Sequence, residues 1–277
     1  MNNKNLKRFL RKPLNIIGLF FILIVISGAI FGPYLSPYDP LQLDAVNRLK
    51  PPSASHPFGT DDAGRDILSR VLTGARISLA IAPIVVIPSL FIGVLIGVIA
   101  AYKGGLIDVV LMRFTDIVLS FPKVILAMAM VSALGPGIFN AVLAVVVIWW
   151  PSYARLARAL LLTEKGKIYV EAARSIGCSD LRIVVTHIAR NCVSPFIVKM
   201  TMDSGMAILT TASLSFLGLG AQPPTPEWGA MVAVGRTYIQ HYFWVPTFPG
   251  LAIFIVVLGF SLLGDGLRDE LDPRTSL

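Results

Sequence analysis

Few residues in this chain have types and spacing that could carry out chemistry, and the first candidate is a glycine-rich string near residue 60. Gly59-x-x-x-x-Gly64 has the glycine spacing of a phosphate-binding loop. However, Arg65 and Asp66 stand where such a loop needs Lys and Ser or Thr to hold phosphate and Mg²⁺. Asp61 and the neighbouring aspartate would also repel phosphate. The sequence therefore predicts no nucleotide site in this chain.

Metal ligands and catalytic groups are equally scarce. The three histidines, His56, His187 and His241, are scattered along the chain and form no ligand set. The two cysteines, Cys178 and Cys192, lie in or beside a segment that we expect to face the reducing cytoplasm, so no disulfide is expected. A membrane enzyme would need a converging nucleophile, base or metal ligands, and none are evident. We expect no metal site, no cofactor and no enzymatic activity in this chain.

Ionisable residues within apolar runs form the next candidate group. Lys199 and Asp203 are spaced i,i+4 and therefore share one face of a helix. Charges within hydrocarbon are costly, so such residues usually face the bundle or a water-filled path. One hypothesis is that Asp203, with Lys123, lines a substrate path. The alternative is a structural Lys199–Asp203 pair.

The third candidate is a long polar and basic segment, 163–191, between two apolar runs. The absence of helix breakers predicts a short helix from Ile168 to Ile176. Gly177 is then expected to end this helix at positive φ. Ser179 is a plausible N-cap of a second short helix, with Asp180 in its first turn. The segment is therefore predicted to be two short helices joined by a sharp bend.

The elements that position these residues are membrane helices. The chain is 55% hydrophobic and 14% charged, with a mean hydropathy of +0.73, whereas soluble domains carry roughly 25% charged residues. Its net charge of +8 comes from basic residues at the ends of apolar runs, which is the positive-inside pattern and not a nucleic-acid-binding face. These residues are Lys4, Lys7, Arg8, Arg11, Lys12, Arg155, Arg158, Lys165 and Lys167. We expect a multi-pass membrane protein in contact with the lipid bilayer and not with nucleic acid.

Six membrane-spanning helices account for the apolar runs and place both termini in the cytoplasm. The spans are predicted at residues 14–31, 77–101, 109–134, 138–161, 193–219 and 247–267. Apolar residues near 67–72 recur at helical spacing and predict a separate amphipathic helix at the membrane surface. Gly93 and Gly97 would let a neighbouring helix approach closely. We divide the chain into 1–76, with the tail, first span and outside loop, and 77–277, a five-helix core with the 163–191 segment.

Glu171-Ala172-Ala173, followed by Gly177 and Ile188, resembles the EAA signature of bacterial ABC importer permeases. The resemblance implies that the 163–191 segment is a coupling loop to which a separate ATPase docks. By that resemblance the coupling residues are Glu171, Ala172, Ala173, Arg174, Gly177, Asp180 and Ile188. The chain departs from the signature at Ile188-Ala189-Arg190-Asn191, where the family often has Ile-Leu-Pro. The resemblance therefore does not define the backbone geometry at Ala189–Asn191, where the chain enters the fifth span.

Further strings narrow the resemblance to the "C" subunit of dipeptide, oligopeptide and nickel importers. These strings are residues 58–70, 74–79, 214–220, 224–229 and 264–274. The resemblance implies a type I importer permease fold in the bacterial plasma membrane. It also implies a homologous B-type permease, two ABC ATPases that bind ATP and Mg²⁺, and an extracytoplasmic substrate-binding protein as partners.

Three alternatives remain open. The outside loop residues Gly59, Thr60, Asp61, Gly64, Arg65 and Asp66 are expected to hold a packed lid over the helices, and the alternative is direct contact with the binding protein. Peptide permeases often carry an acidic residue before the 214–220 string, whereas this chain has Thr210-Thr211, which favours nickel or a metal chelate over peptides. A secondary transporter is the alternative class, and Asp203 would be its sole acidic candidate near the midplane.

Overall fold

A computed structural model describes residues 9–10 and 12–271, and these residues form helices and connecting loops with one isolated bridge between Thr60 and Asp66. The helices are α1 (Pro13–Leu35), α2 (Ile67–Lys103), α3 (Gly105–Ser120), α4 (Lys123–Leu134), α5 (Ile138–Lys165), α6 (Ile168–Ser175), α7 (Asp180–Phe216), α8 (Trp228–Gly235) and α9 (Trp244–Leu271). Short 3₁₀ turns lie at Ala45–Asn47 and Arg236–Tyr238. The all-α prediction is confirmed.

Helices α1, α2, α5, α7 and α9 are each long and apolar enough to cross a membrane. Helices α3 and α4 meet the same criteria only as a pair, which is bent by 90° between Ser120 and Lys123. The number of spans therefore agrees with the predicted six when this bent pair counts as one.

Successive spans alternate in direction and give the bundle two distinct ends. We call the end that carries residues 36–66 and 217–243 the loop end, and the end that carries the 163–191 segment the coupling end. Lys12 Nζ lies 2.9 Å from Asp269 Oδ2, so the start of α1 and the end of α9 both lie at the coupling end. Which side of the membrane this end faces stays a prediction. Residues 4, 7, 8 and 11, which supported the orientation, and 272–274 of the C-terminal string lie outside the described residues.

Close contact between α2 and α5 depends on two glycines. A Cβ at Gly93 would lie 2.4 Å from the carbonyl oxygen of Trp150, and a Cβ at Gly97 would lie 2.3 Å from that of Ala154. Any larger residue would therefore push the two backbones apart. The predicted role of this glycine pair is confirmed.

The third span differs from its prediction as one straight helix over 109–134. Phe121 has an extended backbone, with φ −85° and ψ 141°, because a residue before proline is disfavoured in the helical region. Pro122 also lacks an N–H group to continue the helical hydrogen bonds. The span breaks here, and Lys123 begins a new helix of 12 residues, α4.

The predicted surface helix near 67–72 is also not separate. It is the start of α2, which runs unbroken for 37 residues and crosses the expected domain boundary at 76/77. Asp66 caps this helix, since its carboxylate accepts a hydrogen bond from the Ser69 amide at 2.8 Å. Arg76 remains inside the helix because its guanidinium donates to the carbonyl of Ile30 at 2.9 Å. The division of the chain into two domains stays a prediction.

Candidate functional site

The 163–191 segment contains the predicted helix and glycine stop. Helix α6 spans Ile168–Ser175, and Gly177 follows with φ of 83°, in the region that glycine enters without penalty. The amide of Cys178 donates to the carbonyl of Ala173 at 3.1 Å across this turn. The first half of the predicted geometry is therefore confirmed.

The second half of the prediction is wrong. Ser179 has the extended backbone of an N-cap, but its side chain makes no capping hydrogen bond. The chain from Asp180 does not form a separate short helix, and instead continues through a π-helical stretch, Ile183–Ile188, into the rest of α7. No proline or glycine interrupts 180–194, so nothing ends the helix there. A bend at Ala189–Asn191 is therefore not needed, and the fifth span begins directly at the coupling end.

An apolar cluster fixes α6 to the ends of three longer helices. Val170 is fully buried and Ala173 is 7% exposed. Both pack with residues of α2, α5 and α7, namely Ala101, Leu161, Ile183, Ile188 and Cys192. The predicted coupling residues therefore fall into a buried and an exposed group. Ala173 and Ile188 are buried against the ends of the long helices, so they anchor the segment and are not available to a partner.

Charged residues join the two sides of the Gly177 turn. Arg174 Nε donates to Asp180 Oδ1 at 3.2 Å, and the Tyr102 hydroxyl donates to Asp180 Oδ2 at 3.3 Å. Lys165 Nζ donates to the carbonyl of Ala101 at 2.8 Å. The two bonds to Asp180 connect α6 and the end of α2 to the start of α7, and they give Asp180 a positioning role that its spacing alone did not indicate. The Lys165 bond joins the end of α5 to α2.

Glu164 is a functional candidate that sequence reasoning missed. Its carboxylate accepts hydrogen bonds from the Tyr169 hydroxyl at 2.6 Å and from Asn191 Nδ2 at 3.3 Å, and it pairs with Lys167. Burial, together with the bond to Glu164, raises the pKa of Tyr169 to about 12. Glu164 thus joins α5, α6 and α7 through one side chain. The spacing of these residues gave no signal, because their approach depends on the turn at Gly166.

The outer face of the segment is apolar with a charged rim. Ile168 is 83% exposed, Ile176 is 81% exposed and Leu181 is 72% exposed. Glu171 and Ala172 are exposed between them. An apolar surface on a firmly held helix, bordered by charges, can bury area against a protein groove.

Lys199, the partner of Asp203, and Lys123 contact different aromatic side chains of α5. Lys199 Nζ lies 3.0 Å from Asp203 Oδ2 and 4.9 Å from the centre of the Tyr153 ring. Lys123 Nζ lies 5.2 Å from the centre of the Trp149 ring, one helical turn away. The Lys199–Asp203 ion pair favours the structural alternative for Asp203. A path role for Lys123 and Asp203 stays a prediction.

The 58–70 loop lies at the loop end, where all of its charged residues except the partly exposed Asp62 are buried. Asp61 is 6% exposed and accepts hydrogen bonds from the Arg65 amide at 2.9 Å and from Arg65 Nε at 2.7 Å. Arg70 Nε lies 3.5 Å from the same carboxylate, and Arg70 also donates to the carbonyls of Pro40 and Pro224. The loop thus joins segments far apart in sequence.

Asp66 and the loop glycines complete this packing. The Asp66 carboxylate lies 3.0 Å from His56 Nδ1 in addition to capping α2, and Thr60 donates to the carbonyl of Asn47. Gly59 and Gly64 have φ of 74° and 78°. These contacts support the packed-lid role, which stays a proposal for the loop.

No three His, Cys, Asp or Glu side chains in the described ranges converge on a metal-sized site. The predicted absence of a cofactor in this chain stays a prediction.

Two family models match the chain. Residues 93–277 match the family described as "binding-protein-dependent transport system inner membrane component". Residues 4–52 match the "N-terminal TM domain of oligopeptide transport permease C".

Curated relatives extend the match over nearly the whole chain. A probable D,D-dipeptide transport system permease protein of Escherichia coli K12 is 45% identical over 95% of this chain and 88% of its own length. A di/tripeptide transport system permease protein of Pseudomonas aeruginosa is 44% identical over 93% of this chain and 87% of its own. A glutathione transport system permease protein of Pectobacterium atrosepticum is 45% identical over 97% and 89%.

These proteins are permease subunits and not enzymes, which agrees with the apolar helices and the EAA string of this chain. The chain therefore belongs to the binding-protein-dependent transport system inner membrane component family, and it is a permease subunit of an ABC importer whose ATPase is a separate chain.

Proposed function

We propose that this permease imports short peptides, and that α6 with the start of α7 is the surface through which a partner ATPase moves its helices. The relatives described above are named for dipeptides, tripeptides and glutathione, and none of them is named for nickel. The Thr210-Thr211 pair, which favoured nickel, is a weaker argument than identities near 45% along the whole chain.

The observation that carries the docking proposal is the division of α6 into two faces. Val170 and Ala173 anchor one face to the bundle, whereas Ile168 and Ile176 leave the other face open. Isoleucines that are more than 80% exposed at the two ends of a helix beyond the apolar spans indicate a protein partner. Glu171 at the rim can pair with a basic side chain of that partner.

Force on α6 would reach three spans at once. The apolar cluster contacts the ends of α2, α5 and α7, and Glu164 adds hydrogen bonds across the same junction. Displacement of α6 by the ATPase would therefore move these helices together. A bundle that switches between two packings needs a bias of only a few kcal/mol, which docking of an ATP-bound partner can supply.

The remaining partners and the orientation belong to the same proposal. The permease would pair with a homologous B-type permease, two ABC ATPases and a binding protein that delivers the peptide at the loop end. The basic residues Arg174, Arg182 and Arg190 at the coupling end support a cytoplasmic position for that end. ATP and Mg²⁺ would be held by the ATPases.

The docking role can be tested with the complete importer in proteoliposomes. Ala172→Trp places a bulky ring on the open face of α6, and Val46→Trp makes the same kind of change at an 83% exposed site at the loop end. We expect Ala172→Trp to abolish ATP-driven uptake and the stimulation of ATP hydrolysis by loaded binding protein, while Val46→Trp retains both. Normal coupling in the Ala172→Trp importer would exclude α6 as the docking surface.

The substrate class needs its own experiment. The permeases, ATPases and binding protein encoded together should be reconstituted, and ATP-dependent uptake of a dipeptide, a tripeptide, glutathione and Ni²⁺ should be compared. We expect peptide uptake that stops when ATP is replaced by a non-hydrolysable analogue. Uptake of Ni²⁺ alone would refute the peptide assignment, and uptake driven by an ion gradient without ATP would favour a secondary transporter.

A further inference from the structure

A cavity of about 470 Å³ opens between α5, α7 and α9 in the half of the bundle nearest the coupling end. Its walls are mainly apolar and include Leu156, Val198, Met202 and Leu271. Its polar groups are confined to a few side chains, among them Ser194 and Arg268. Neither the docking surface nor the 58–70 loop includes any of these residues.

One positive charge remains in the cavity after its ion pair is counted. Lys199 and Asp203 both line the cavity, and their 3.0 Å ion pair neutralises them. Arg268 is exposed, and among the described residues no carboxylate lies within 4.0 Å of its guanidinium. The cavity therefore has a net positive charge at Arg268.

The depth of Arg268 in a membrane follows from the length of its helix. Helix α9 has 28 residues and is about 42 Å long at 1.5 Å per residue. The hydrocarbon core is only about 30 Å thick, so the last turns of α9 reach the lipid headgroups. Arg268 lies in the last turn, and the neighbouring Asp269 meets Lys12 just before the first apolar run begins.

We propose that this cavity binds an anionic phospholipid, with the phosphodiester on Arg268 and an acyl chain along the wall formed by Val198 and Met202. A guanidinium offers two parallel N–H donors to phosphate oxygens, and the Ser194 hydroxyl can donate a third hydrogen bond. The apolar wall distinguishes a lipid from a free anion, because inorganic phosphate would leave that wall uncovered. The inference rests on the proposed orientation, which places Arg268 in the cytoplasmic leaflet, where anionic lipids attract basic groups.

The test uses the purified complete importer in nanodiscs of phosphatidylcholine containing phosphatidylglycerol. Native mass spectrometry after partial delipidation should show phosphatidylglycerol retained by the wild type, and retention should fall about tenfold or more in Arg268→Gln. Arg113→Gln is the matched control, since Arg113 is an exposed arginine of α3 that does not line the cavity. Equal retention in wild type and Arg268→Gln, or equal loss in both variants, would overturn the proposal.

Two further arms separate the other occupants. Val198→Phe fills the apolar wall without changing charge, and it should also lower retention, which decides the matter if Arg268→Gln fails to assemble. Inorganic phosphate added to phosphatidylcholine nanodiscs should not raise thermal stability, and an increase equal to that from phosphatidylglycerol would identify a free-anion site instead. Peptide uptake is measured in parallel, so an importer that takes up no peptide but retains lipid would refute the proposed function alone. Loss of uptake in Arg268→Gln with unchanged lipid retention would assign the cavity to the substrate path and overturn the lipid proposal.

Discussion

Gly64→Ala should destabilise this permease far more than a substitution in a loop usually does, because Gly64 is buried. Gly64 has φ of 78°, and a left-handed backbone costs an alanine about 1–2 kcal/mol. A Cβ there would also lie 1.7 Å from the carbonyl oxygen of Asp44, where ordinary contact begins at 3.4 Å. The two backbones must therefore separate by about 1.7 Å, which would break the 3.1 Å hydrogen bond from the Asp44 amide to the carbonyl of Ala63. Loss of that bond adds about 1–3 kcal/mol, for a total of about 2–5 kcal/mol.

Gly218→Ala provides the matched control for this change. Gly218 has nearly the same φ, 80°, but no atom lies within 4 Å of its Cβ position. It should therefore lose only the conformational part, about 1–2 kcal/mol. The assay measures the melting temperature of the permease in the purified importer, together with ATP-driven uptake. Equal losses in the two variants would refute the reasoning, because backbone conformation alone would then account for both.

Two further predictions concern hydrogen bonds near the coupling end. Asp108→Asn should lower the melting temperature, because the Asp108 carboxylate holds Arg158 through two bonds of 2.6 Å that clamp α3 to α5. The loss should be about 1 kcal/mol after solvent screening, and Asp116→Asn, at a more exposed pair, should lose less. Tyr169→Phe should cost about 1 kcal/mol by removing the bond to Glu164, and should lower the number of peptides transported per ATP if that junction transmits force. An unchanged transport ratio with a lowered melting temperature would restrict Tyr169 to a structural role.

Local rules predicted the parts of the fold that depend on local causes. The Gly177 stop follows from the backbone freedom of glycine, and the approach of α2 to α5 follows from the spacing of Gly93 and Gly97. The break before Pro122 also follows from a local rule. The sequence pattern still predicted one straight span over 109–134, because the residues on both sides of Pro122 are apolar.

Features that depend on distant contacts were not predictable from the sequence. The helical spacing of apolar residues near 67–72 predicted a separate surface helix, but Arg76 is satisfied by a carbonyl of α1 that no local pattern reveals. The buried pairing of Asp61 with Arg65 and Arg70 depends on how the 58–70 loop folds back on itself. The site was found through its signature, yet the division between anchoring and exposed residues required the positions of Ala173 and Ile188 against other helices.

Glu227 gives the last prediction, because an acid with no exposed surface should make stability depend on pH in an unusual direction. Its carboxylate caps α8 by accepting hydrogen bonds from the amides of Gly229 at 3.0 Å and Ala230 at 2.8 Å. Burial raises the pKa of the Glu227 carboxyl above its ordinary value of 4.5, although these two bonds lower it. The folded protein therefore binds the proton more tightly than the unfolded chain does. This contribution is complete below pH 4.5 and declines as pH rises through the raised pKa.

Glu227→Gln should remove this titration while keeping the size of the side chain. The melting temperature of the variant should therefore rise relative to that of the wild type as pH rises above 4.5. The comparison must be made as a difference, because other carboxyl groups titrate in the same range and affect both proteins equally. A difference that stays constant with pH would show that Glu227 has the same pKa in the folded and unfolded chain. If the melting temperature of the wild type instead rises relative to that of the variant, the two amide hydrogen bonds outweigh burial in setting the pKa of Glu227. The cap of α8 is then a carboxylate and not a carboxylic acid.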